Sequence, residues 1–329
     1  MKVSRFHQNG NPDVLVYEEI ETPKPNAGEV LIKIESVGVN YADTIRRRGD
    51  NYPEPSPVPF ILGIEVAGTI EELGEGVDNL AIGTRVFAIP GSGGYAQYIP
   101  ISATAVIPLP ESIDFDTAAA ILAHGLTAMI VLQKAAKIQR GETILIEGAA
   151  GGLGLFAVQI AKIFGAVVIA AASTEEKRKI AIDYGADFAI DYTQADWSQK
   201  VIELTDGKGV DVIWETTGGE AVNQALDALA VFGRMIYLGQ SSGQSASIDP
   251  WRLTAPNHTI TGIYINNYSN DPVLIGTALQ ELMGYVISGE IKVEAGHILP
   301  LSQASEAHML LENRKNIGKI VLKPWKLIE

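Results

Sequence analysis

The chain has 329 residues, of which 47% are hydrophobic and 19% are charged, a composition that suits a soluble globular protein of one large or two medium-sized domains. Its 39 acidic residues outnumber its 25 Lys and Arg residues, so the formal net charge is -14 and the surface repels polyanions such as nucleic acid. The chain contains no cysteine, which excludes disulfides, thiolate-bound zinc, iron–sulfur clusters and a cysteine nucleophile.

Two local features bear on partners and location. Arg46, Arg47 and Arg48 form a basic triplet, which we interpret as a solvated loop rather than a nucleic-acid site. The N-terminal residues MKVSRFHQNG lack the apolar core of a secretion signal. We therefore expect a cytoplasmic protein with no nucleic-acid partner.

The pattern of elements changes along the chain. Up to about residue 110, short β-rich runs such as EVLIKIESVGV and TRVFAIPGSGGYAQYI alternate with turn residues and predict a β-dominated domain. From about residue 140, strand-like and helix-like segments alternate, beginning with ETILIEG, GLGLFAVQIAKIFG and AVVIAAAS. This alternation predicts an α/β fold with a doubly wound parallel sheet covered by helices. After TITGIYI, two helix-like stretches precede a last strand, GKIVLKP, and pattern alone leaves their domain open.

The stretch from 146 to 173, IEGAAGGLGLFAVQIAKIFGAVVIAAAS, is apolar enough to resemble a membrane span. Gln159 and Lys162 interrupt it, however, and Gly165 divides two different periodicities, so we reject a single span and expect no membrane association. Apolar residues spaced three and four apart between 153 and 164 instead predict one face of a helix of ordinary length.

A glycine cluster lies between the strand pattern TILI and this helix. Ala149, Gly151 and Gly154 occupy the three small positions of the dinucleotide-binding fingerprint. We expect Gly151 to allow a sharp turn and Gly154 to allow the helix to pack against the strand. Free N–H groups at the helix start, together with the helix dipole, would then hold a pyrophosphate.

The next strand indicates which dinucleotide is bound. VVIAAAS ends in Ser173 rather than in the acidic residue that binds the ribose of NAD, and Lys177 and Arg178 follow closely. This combination favours the 2′-phosphate of NADP, although both basic residues are also consistent with a solvated helix face. The spacing further suggests Ser173 as a helix N-cap, with Glu176 completing a capping box.

The chain resembles the zinc-independent, zeta-crystallin-like quinone oxidoreductases of the medium-chain dehydrogenase/reductase superfamily. The resemblance runs nearly end to end and rests on GVNYADTIRRRGDNY, GIEVAGTIEELGEGV, GTRVFA, GGYAQY, GLTA, AAGGLGLFAVQIAK, GADFAIDY and GKIVL. It implies a GroES-like catalytic domain of residues 1–122 completed by 268–329, and a Rossmann domain of residues 123–267. It also implies an active site in the cleft between these domains and a homodimer or higher oligomer.

Two positions of the resemblance separate this chain from the zinc enzymes of the superfamily. Where those enzymes have a Cys after GV and a His between Gly and Glu, this chain has Asn40 and Ile64. The structural cysteines are absent as well, and the five His residues show no ligand-like spacing. We therefore expect no bound metal.

The missing zinc constrains the substrate. Hydride transfer to a simple carbonyl leaves an alkoxide that a metal or a strong proton donor must stabilise. A quinone or an α,β-unsaturated carbonyl spreads that charge itself, so hydrogen bonds and a proton from water suffice. The expected activity is NADPH-dependent reduction of a quinone or other conjugated carbonyl. The alternatives are an enone, 2-alkenal or enoyl-thioester reductase, and an NADPH-binding sensor or structural protein with little turnover.

Three residues are candidates for the catalytic site. Asn40 replaces the zinc ligand and would hydrogen-bond nicotinamide, water or substrate, unless it only stabilises its loop. Tyr52 would stack on or hydrogen-bond the substrate, or else lie on a surface loop, since one extra residue separates it from Gly49 and Ile45 replaces a common Tyr. Thr127 in GLTA resembles a threonine that faces nicotinamide, with a backbone-bonded helical Thr as the alternative.

The resemblance also implies a set of coenzyme contacts. The pyrophosphate would meet Ala150, Gly151, Gly152, Leu153 and Gly154, and the adenosine phosphate Ser173, Lys177 and Tyr192. The nicotinamide half would run along Thr217, Gly239, Ser241, Tyr264, Ile265 and Asn266, while Lys319 would reach back toward the coenzyme. Tyr192 is equally consistent with simple packing at a strand end.

Overall fold

The computed structural model describes residues 1–268 and 270–326 and divides the chain into two compact units. The first unit comprises Met1–Ala123 and Val293–Glu329, and the second comprises His124–Lys292. The chain therefore leaves the first unit once and returns to it.

The N-terminal part of the first unit is rich in strands. Its elements are β1 (Lys2–Phe6), β2 (Leu15–Glu19), β3 (Glu29–Val39), α1 (Tyr41–Arg48), β4 (Phe60–Ile61), β5 (Glu65–Leu73), β6 (Arg85–Ala88), β7 (Tyr98–Ser102) and β8 (Ile107–Pro108). Helix α2 (Phe115–Ile130) follows and continues through a π-helical segment, Val131–Ala135. The β-dominated character predicted for this region is present.

The second unit alternates strands and helices. They are β9 (Thr143–Glu147), α3 (Gly152–Ile163), β10 (Val167–Ala171), α4 (Glu175–Asp183), β11 (Phe188–Ile190), α5 (Trp197–Leu204), β12 (Val210–Glu215), α6 (Ala221–Asp227), β13 (Leu229–Tyr237), β14 (Thr259–Gly262) and α7 (Pro272–Ser288). The six strands are parallel in the order β11-β10-β9-β12-β13-β14. The predicted doubly wound Rossmann-type sheet is confirmed, and its strand order reverses between β9 and β12.

Burial explains why the central strands of this sheet are so apolar. Ile144, Leu145 and Ile146 of β9 are fully buried, as are Val212 and Ile213 of β12. Helices cover both faces of such a sheet, so the strands show continuous apolar runs instead of an alternating pattern.

The C-terminal segment completes the sheet of the first unit. It contributes β15 (His297–Pro300), α8 (Ala304–Glu312) and β16 (Ile320–Lys323). The seven-stranded sheet has the order β15-β16-β3-β5-β6-β8, with β7 also paired to β3, and a three-stranded sheet has the order β2-β1-β4. Because β16 pairs with β3 in an antiparallel register, residues more than 280 positions apart, such as Val39 and Ile320, become direct neighbours.

The return point differs from the one predicted. We expected residues from 268 onward to belong to the first unit, but the second unit extends to Lys292. Helix α7 packs within the second unit: a Cβ atom on Gly125 would lie 2.8 Å from the Leu282 side chain. In addition, Gln133 Nε2 donates a hydrogen bond to Glu281 Oε2 at 2.8 Å. These contacts hold α7 against the segment that includes α2.

One segment, Phe115–Ala135, is long and apolar enough to cross a bilayer by length and composition. Most of it is buried inside the protein, as in the core helix of a globular fold. The stretch from 146 to 173, by contrast, is divided into a strand, a loop, helix α3 and a second strand, as predicted.

Candidate functional site

The loop between β9 and α3 has the geometry of a phosphate-binding turn. The first N–H to donate within α3 is that of Leu155, to the Gly151 carbonyl at 2.9 Å. The N–H groups of Gly152, Leu153 and Gly154 precede it, and these are the groups that an α-helix cannot satisfy internally. The start of α3 therefore offers convergent donors and a positive dipole end to an anion.

The residue that makes the turn is not the one we predicted. Gly148 has the left-handed φ of 61°, whereas Gly151 has an extended backbone with φ of -79° and ψ of 170° and serves as the N-cap of α3. A Cβ atom on Gly151 would lie no closer than 3.3 Å to the Gly148 carbonyl oxygen. The sharp bend thus occurs three residues earlier, directly after β9 ends.

Gly154 is in the tight contact expected of it. A Cβ atom at this position would lie 2.2 Å from the Gly148 carbonyl oxygen and 2.7 Å from the Ala149 Cα atom. Both are backbone atoms that no side-chain rotation can move away. The close packing of α3 on the loop therefore requires glycine, and the residues present fit a dinucleotide.

The end of β10 corrects one prediction about capping. The N-cap of α4 is Thr174, not Ser173, since the Thr174 side chain accepts the hydrogen bond from the Lys177 backbone N–H at 3.2 Å. Lys177 and Arg178 lie in the first turn of α4 and are half-buried. Arg178 Nη1 lies 3.2 Å from Asp191 Oδ2 in an ion pair, so part of its charge is already compensated.

Tyr192 follows β11 and packs against the core of the second unit. The loops after β12 and β13 are joined by backbone hydrogen bonds, since the Ser241 N–H donates to the Thr216 carbonyl at 3.0 Å. Gly239 lies against the same residue: a Cβ atom there would be 3.3 Å from the Thr216 carbonyl oxygen. The predicted residues Thr217, Gly239 and Ser241 are therefore brought together by the sheet.

The segment after β14 contains Tyr264, and the short 3₁₀ helix Ile265–Tyr268 follows. Asn266 Nδ2 donates to the Tyr264 hydroxyl at 3.0 Å. Thr127 lies on α2 and is half-buried. Tyr52 is half-buried in the segment after α1, where the Arg46 guanidinium lies 5.4 Å from its ring centroid.

The arginine triplet is not a solvated loop. It forms the last turn of α1, and the side chains of Arg46 and Arg47 are buried. Arg46 Nη1 donates to the Gly91 carbonyl at 2.7 Å, and Arg47 Nη2 and Arg48 Nη1 both pair with Glu312 of α8. These arginines therefore hold segments of the first unit together, and their charges lie against a backbone carbonyl and the carboxylate of Glu312.

Asn40 and Lys319 meet in the core of the first unit. Lys319 Nζ donates to Asn40 Oδ1 at 2.8 Å and forms an ion pair with Glu65. Asn40 Nδ2 donates to Glu65 Oε1 at 2.9 Å and to the Gly38 carbonyl at 3.2 Å. Burial lowers the pKa of Lys319, and the charge of Glu65 opposes that effect. Both predicted residues are thus held by a carboxylate that the sequence reasoning did not identify.

The second oxygen of Glu65, Oε2, accepts a hydrogen bond from the Ala123 backbone N–H of α2 at 2.8 Å. Glu65 therefore connects three parts of the first unit: Lys319 directly before β16, Asn40 at the start of α1, and Ala123 of α2. In the sequence Glu65 is the Glu that follows Ile64 in the motif GIE, where it opens the otherwise apolar run EVAGTI.

A second buried network surrounds Asp43. Its carboxylate accepts hydrogen bonds from the Asn40 N–H at 2.8 Å, the Gly63 N–H at 3.1 Å and the Tyr95 hydroxyl at 3.3 Å. The Tyr95 hydroxyl also lies 3.0 Å from His308 Nε2. Burial raises the pKa of Asp43 to about 6, and burial together with Arg47 and Arg48 lowers the pKa of His308 to about 3.

The neutral state of His308 predicts a loss of stability in acid. Because its pKa is lower in the folded protein than in the unfolded chain, its contribution is complete above pH about 6.5 and is lost as the pH falls toward 3. We expect the advantage of the wild type over His308→Gln in the free energy of unfolding to shrink by up to about 1.4 kcal/mol per pH unit below 6.5. Urea unfolding between pH 4.5 and 7.5 measures this difference. A difference that stays constant over this pH range would contradict the prediction.

Comparisons with known proteins agree with this architecture. The alcohol dehydrogenase GroES-like domain family matches residues 26–111 and the zinc-binding dehydrogenase family matches residues 152–278. A quinone oxidoreductase of Pseudomonas aeruginosa is 34% identical over 97% of this chain and 98% of its own length. A 2-haloacrylate reductase of a Burkholderia species is 33% identical over 97% of this chain and 98% of its own length. The structure of Escherichia coli quinone oxidoreductase complexed with NADPH has a TM-score of 0.93 and 33% identity, and the match covers 98% of this chain and all of that one.

The GroES-like unit and the Rossmann-type unit with its glycine loop define a medium-chain dehydrogenase/reductase. The similarity to the relatives covers nearly the whole chain. The chain belongs to the quinone oxidoreductase family of that superfamily.

Proposed function

We propose that this protein is an NADPH-dependent, zinc-independent oxidoreductase that transfers hydride to a quinone or another conjugated carbonyl. The observation that carries the proposal is the close packing of α3 on the loop from Gly148 to Gly154. A Cβ atom at Gly154 would overlap the backbone of this loop. Its quinone oxidoreductase relatives, one of them solved with NADPH, support the same coenzyme and substrate class. The bound coenzyme supplies the hydride, and the residues of the chain bind and orient it.

The substrate class is tested by following NADPH consumption with four acceptors: 1,4-benzoquinone, 9,10-phenanthrenequinone, a trans-2-alkenal and a crotonyl thioester. We expect turnover with the quinones. Preference for the alkenal or the thioester would support the second candidate, a reductase of conjugated alkenes, which the 2-haloacrylate reductase relative favours. Tight NADPH binding without turnover of any acceptor would leave only the role of a sensor or structural protein.

Zinc independence is supported by the surroundings of Asn40. Its amide oxygen accepts from the Lys319 ammonium at 2.8 Å, and a second cation there would face that charge. Within residues 1–268 and 270–326, no cluster of three His, Asp or Glu side chains forms a candidate metal site. Elemental analysis of the purified protein should find no stoichiometric zinc, and activity should survive chelators.

The preference for NADPH is assigned to Lys177. We expect Lys177→Glu to raise the KM for NADPH by about ten- to 150-fold, because a charged contact to the 2′-phosphate worth about 1.5 to 3 kcal/mol is lost. The KM for NADH should change little. Steady-state kinetics with both coenzymes measures the ratio, and Lys179→Glu on the exposed side of α4 is the matched control. Equal effects of Lys177→Glu on both coenzymes would reject the phosphate contact.

We also propose a homodimer that forms through the β14 edge of the parallel sheet. Strand β14 is the last strand on that side, and the exposed side chains of Val231 and Phe232 lie on the neighbouring strand β13. Exposed apolar residues beside an open strand edge favour pairing with another chain. Sedimentation equilibrium gives the mass, and a monomeric mass at micromolar concentration would contradict the dimer.

A further inference from the structure

Two glutamates lie side by side at the point where the strand order of the parallel sheet reverses. Glu147 is the last residue of β9 and Glu215 is the last residue of β12. The two strands are neighbours, and the pair that precedes the glutamates is Ile146 with Trp214. Both glutamates are buried. Ligands of doubly wound sheets bind outside the carboxyl ends of the strands at this reversal.

The two carboxyl groups bind the same short segment, Thr216–Gly218. Glu147 Oε2 accepts hydrogen bonds from the N–H groups of Thr216 and Thr217, both at 3.2 Å. Glu215 Oε1 accepts from Thr217 at 2.9 Å and from Gly218 at 2.6 Å. The Thr217 N–H is therefore shared by both acids, which places one oxygen of each within reach of the same hydrogen.

One oxygen of the pair has no such donor. Glu215 Oε2 is buried without a hydrogen-bond partner among the residues that the structure describes. A buried carboxylate oxygen in that position is costly when charged. The side chains of Glu147 and Glu215 are within hydrogen-bond reach of each other, so a proton on one carboxyl group can be donated to the other. The geometry therefore suits one carboxylic acid beside one carboxylate.

The neighbours of the two glutamates on the adjacent strands are not cations. Ala171 of β10 lies beside Glu147 and Tyr237 of β13 lies beside Glu215. The Tyr237 hydroxyl donates to Gln240 Oε1 at 3.3 Å, and burial and the two glutamates raise its pKa. The acidic residues of α6 and of the position before it have other partners. Asp227 is paired with Arg252, and Glu220 accepts a hydrogen bond from Asn223 at the surface.

Both acids hold their protons more tightly than free glutamates. Burial raises the pKa of Glu147. Burial, and next the charge of Glu147, raises the pKa of Glu215 to about 8. Two adjacent buried carboxylates repel each other, so such a pair loses its two protons in separate steps.

We propose that Glu147 and Glu215 share a single proton at neutral pH and that this proton positions Thr216–Gly218 for the coenzyme, so that NADPH binding weakens in alkaline solution. The proposal rests on the proposed function, because it assigns the coenzyme to the adjoining glycine loop. The glutamates act as positioning residues, since they hold the backbone of the loop and are not assigned a contact with the coenzyme.

Loss of the shared proton to solvent changes the site in two ways. It adds a second negative charge at the strand end directly before Gly148, where an anionic pyrophosphate is proposed to bind. It also forces apart the two carboxylates that hold Thr217. That displacement passes to the next loop through the Ser242 N–H, which donates to the Thr217 carbonyl at 2.9 Å. By linkage, NADPH binding above the transition must take up a proton.

The dissociation constant of NADPH, measured by fluorescence between pH 7 and 9.5, tests the proposal. For the wild type we expect it to rise about fivefold or more. Glu215→Gln keeps a neutral group that can donate to Glu147, so its curve should be flat. Glu147→Gln removes the charge that adds to the effect of burial on the pKa of Glu215, so its transition should move to lower pH than that of the wild type. The control Glu203→Gln, on the exposed face of α5, should behave as the wild type. A flat wild-type curve would overturn the proposal.

Infrared spectroscopy tests the proton without the coenzyme. At pH 7.5 the wild type and Glu203→Gln should show the C=O stretch of a buried carboxylic acid, and Glu215→Gln should lack it. If that band is absent from the difference spectrum between wild type and Glu215→Gln, the shared proton does not exist. If no form of the protein binds NADPH at any pH, the proposed function fails instead, and the infrared result still decides on the proton.

Discussion

Gly154→Ala is expected to weaken NADPH binding by about a hundredfold or more, the equivalent of ~3 kcal/mol. The added Cβ atom would lie 2.2 Å from the Gly148 carbonyl oxygen, well inside the contact distance of the two atoms. Helix α3 must then move away from the loop, and its first N–H groups move with it. Because the neighbouring atoms are backbone, the strain cannot be relieved by a rotamer change. Titration of protein fluorescence with NADPH measures the loss.

Two variants separate this steric effect from a general effect of losing glycine. Gly276→Ala makes the same chemical change on the exposed part of α7, where a Cβ atom meets no other atom within 4 Å. It should bind NADPH normally and gain a little stability from helix propensity. Gly151→Ala introduces no contact shorter than 3.3 Å, so the fold should tolerate it, and any loss of binding there reports a close approach of the coenzyme. Normal binding by Gly154→Ala would refute the assignment of the loop.

Glu65→Ala is expected to reduce the free energy of unfolding by about 3 to 5 kcal/mol. The substitution removes the counter-charge of Lys319, whose side chain is 1% exposed. It also removes the acceptor of the Asn40 amide and of the Ala123 backbone N–H. A buried ammonium without its carboxylate must either lose its proton or draw in water, and both cost free energy. Urea unfolding at pH 7 measures the change.

The double variant Glu65→Leu/Lys319→Met provides the control for this prediction. It removes both charges together, so no uncompensated charge remains, and most of the lost stability should return. The stability of Glu65→Ala should also increase with pH, because deprotonation of Lys319 relieves the unpaired charge. A loss below about 1 kcal/mol, with no recovery in the double variant, would show that this ion pair contributes as little as one at the surface.

The two buried networks differ in how their charges are compensated. In the first unit, Glu65 and Lys319 form a fixed ion pair, because each charge has an opposite charge beside it. In the second unit, Glu147 and Glu215 carry the same charge and must share a proton instead. The first arrangement compensates two opposite charges, whereas in the second the pKa of Glu215 is raised to about 8.

Local features of the sequence determined the α/β architecture. The run TILI, the glycine cluster and the three- and four-residue spacing from 153 to 164 depend only on neighbouring residues, and they predicted β9, the loop and α3. The alternation of strand and helix patterns likewise predicted the parallel sheet. Hydrophobic periodicity and glycine chemistry act over a few residues, so they can be recognised without knowing the rest of the fold.

Choices between adjacent residues were decided by the tertiary structure. The sequence alone does not distinguish the conformations of Gly148, Gly151 and Gly154. Gly148 takes the left-handed conformation because β9 ends directly before it in the folded sheet. Ser173 and Thr174 are both good caps, and the end of β10 selects Thr174. Sequence patterns locate such boundaries to within a few residues, because sheet pairing fixes the last residue of each strand.

The charged networks could be found only in the tertiary structure. Glu65 and Lys319 are 254 residues apart, and the pairing of β16 with β3 brings them together. Glu147 and Glu215 meet because β9 and β12 are neighbours in the sheet. In the sequence each glutamate is a single acidic residue at the edge of an apolar run. Its burial, its partner and its protonation depend on the low-dielectric surroundings that distant segments create when the chain folds.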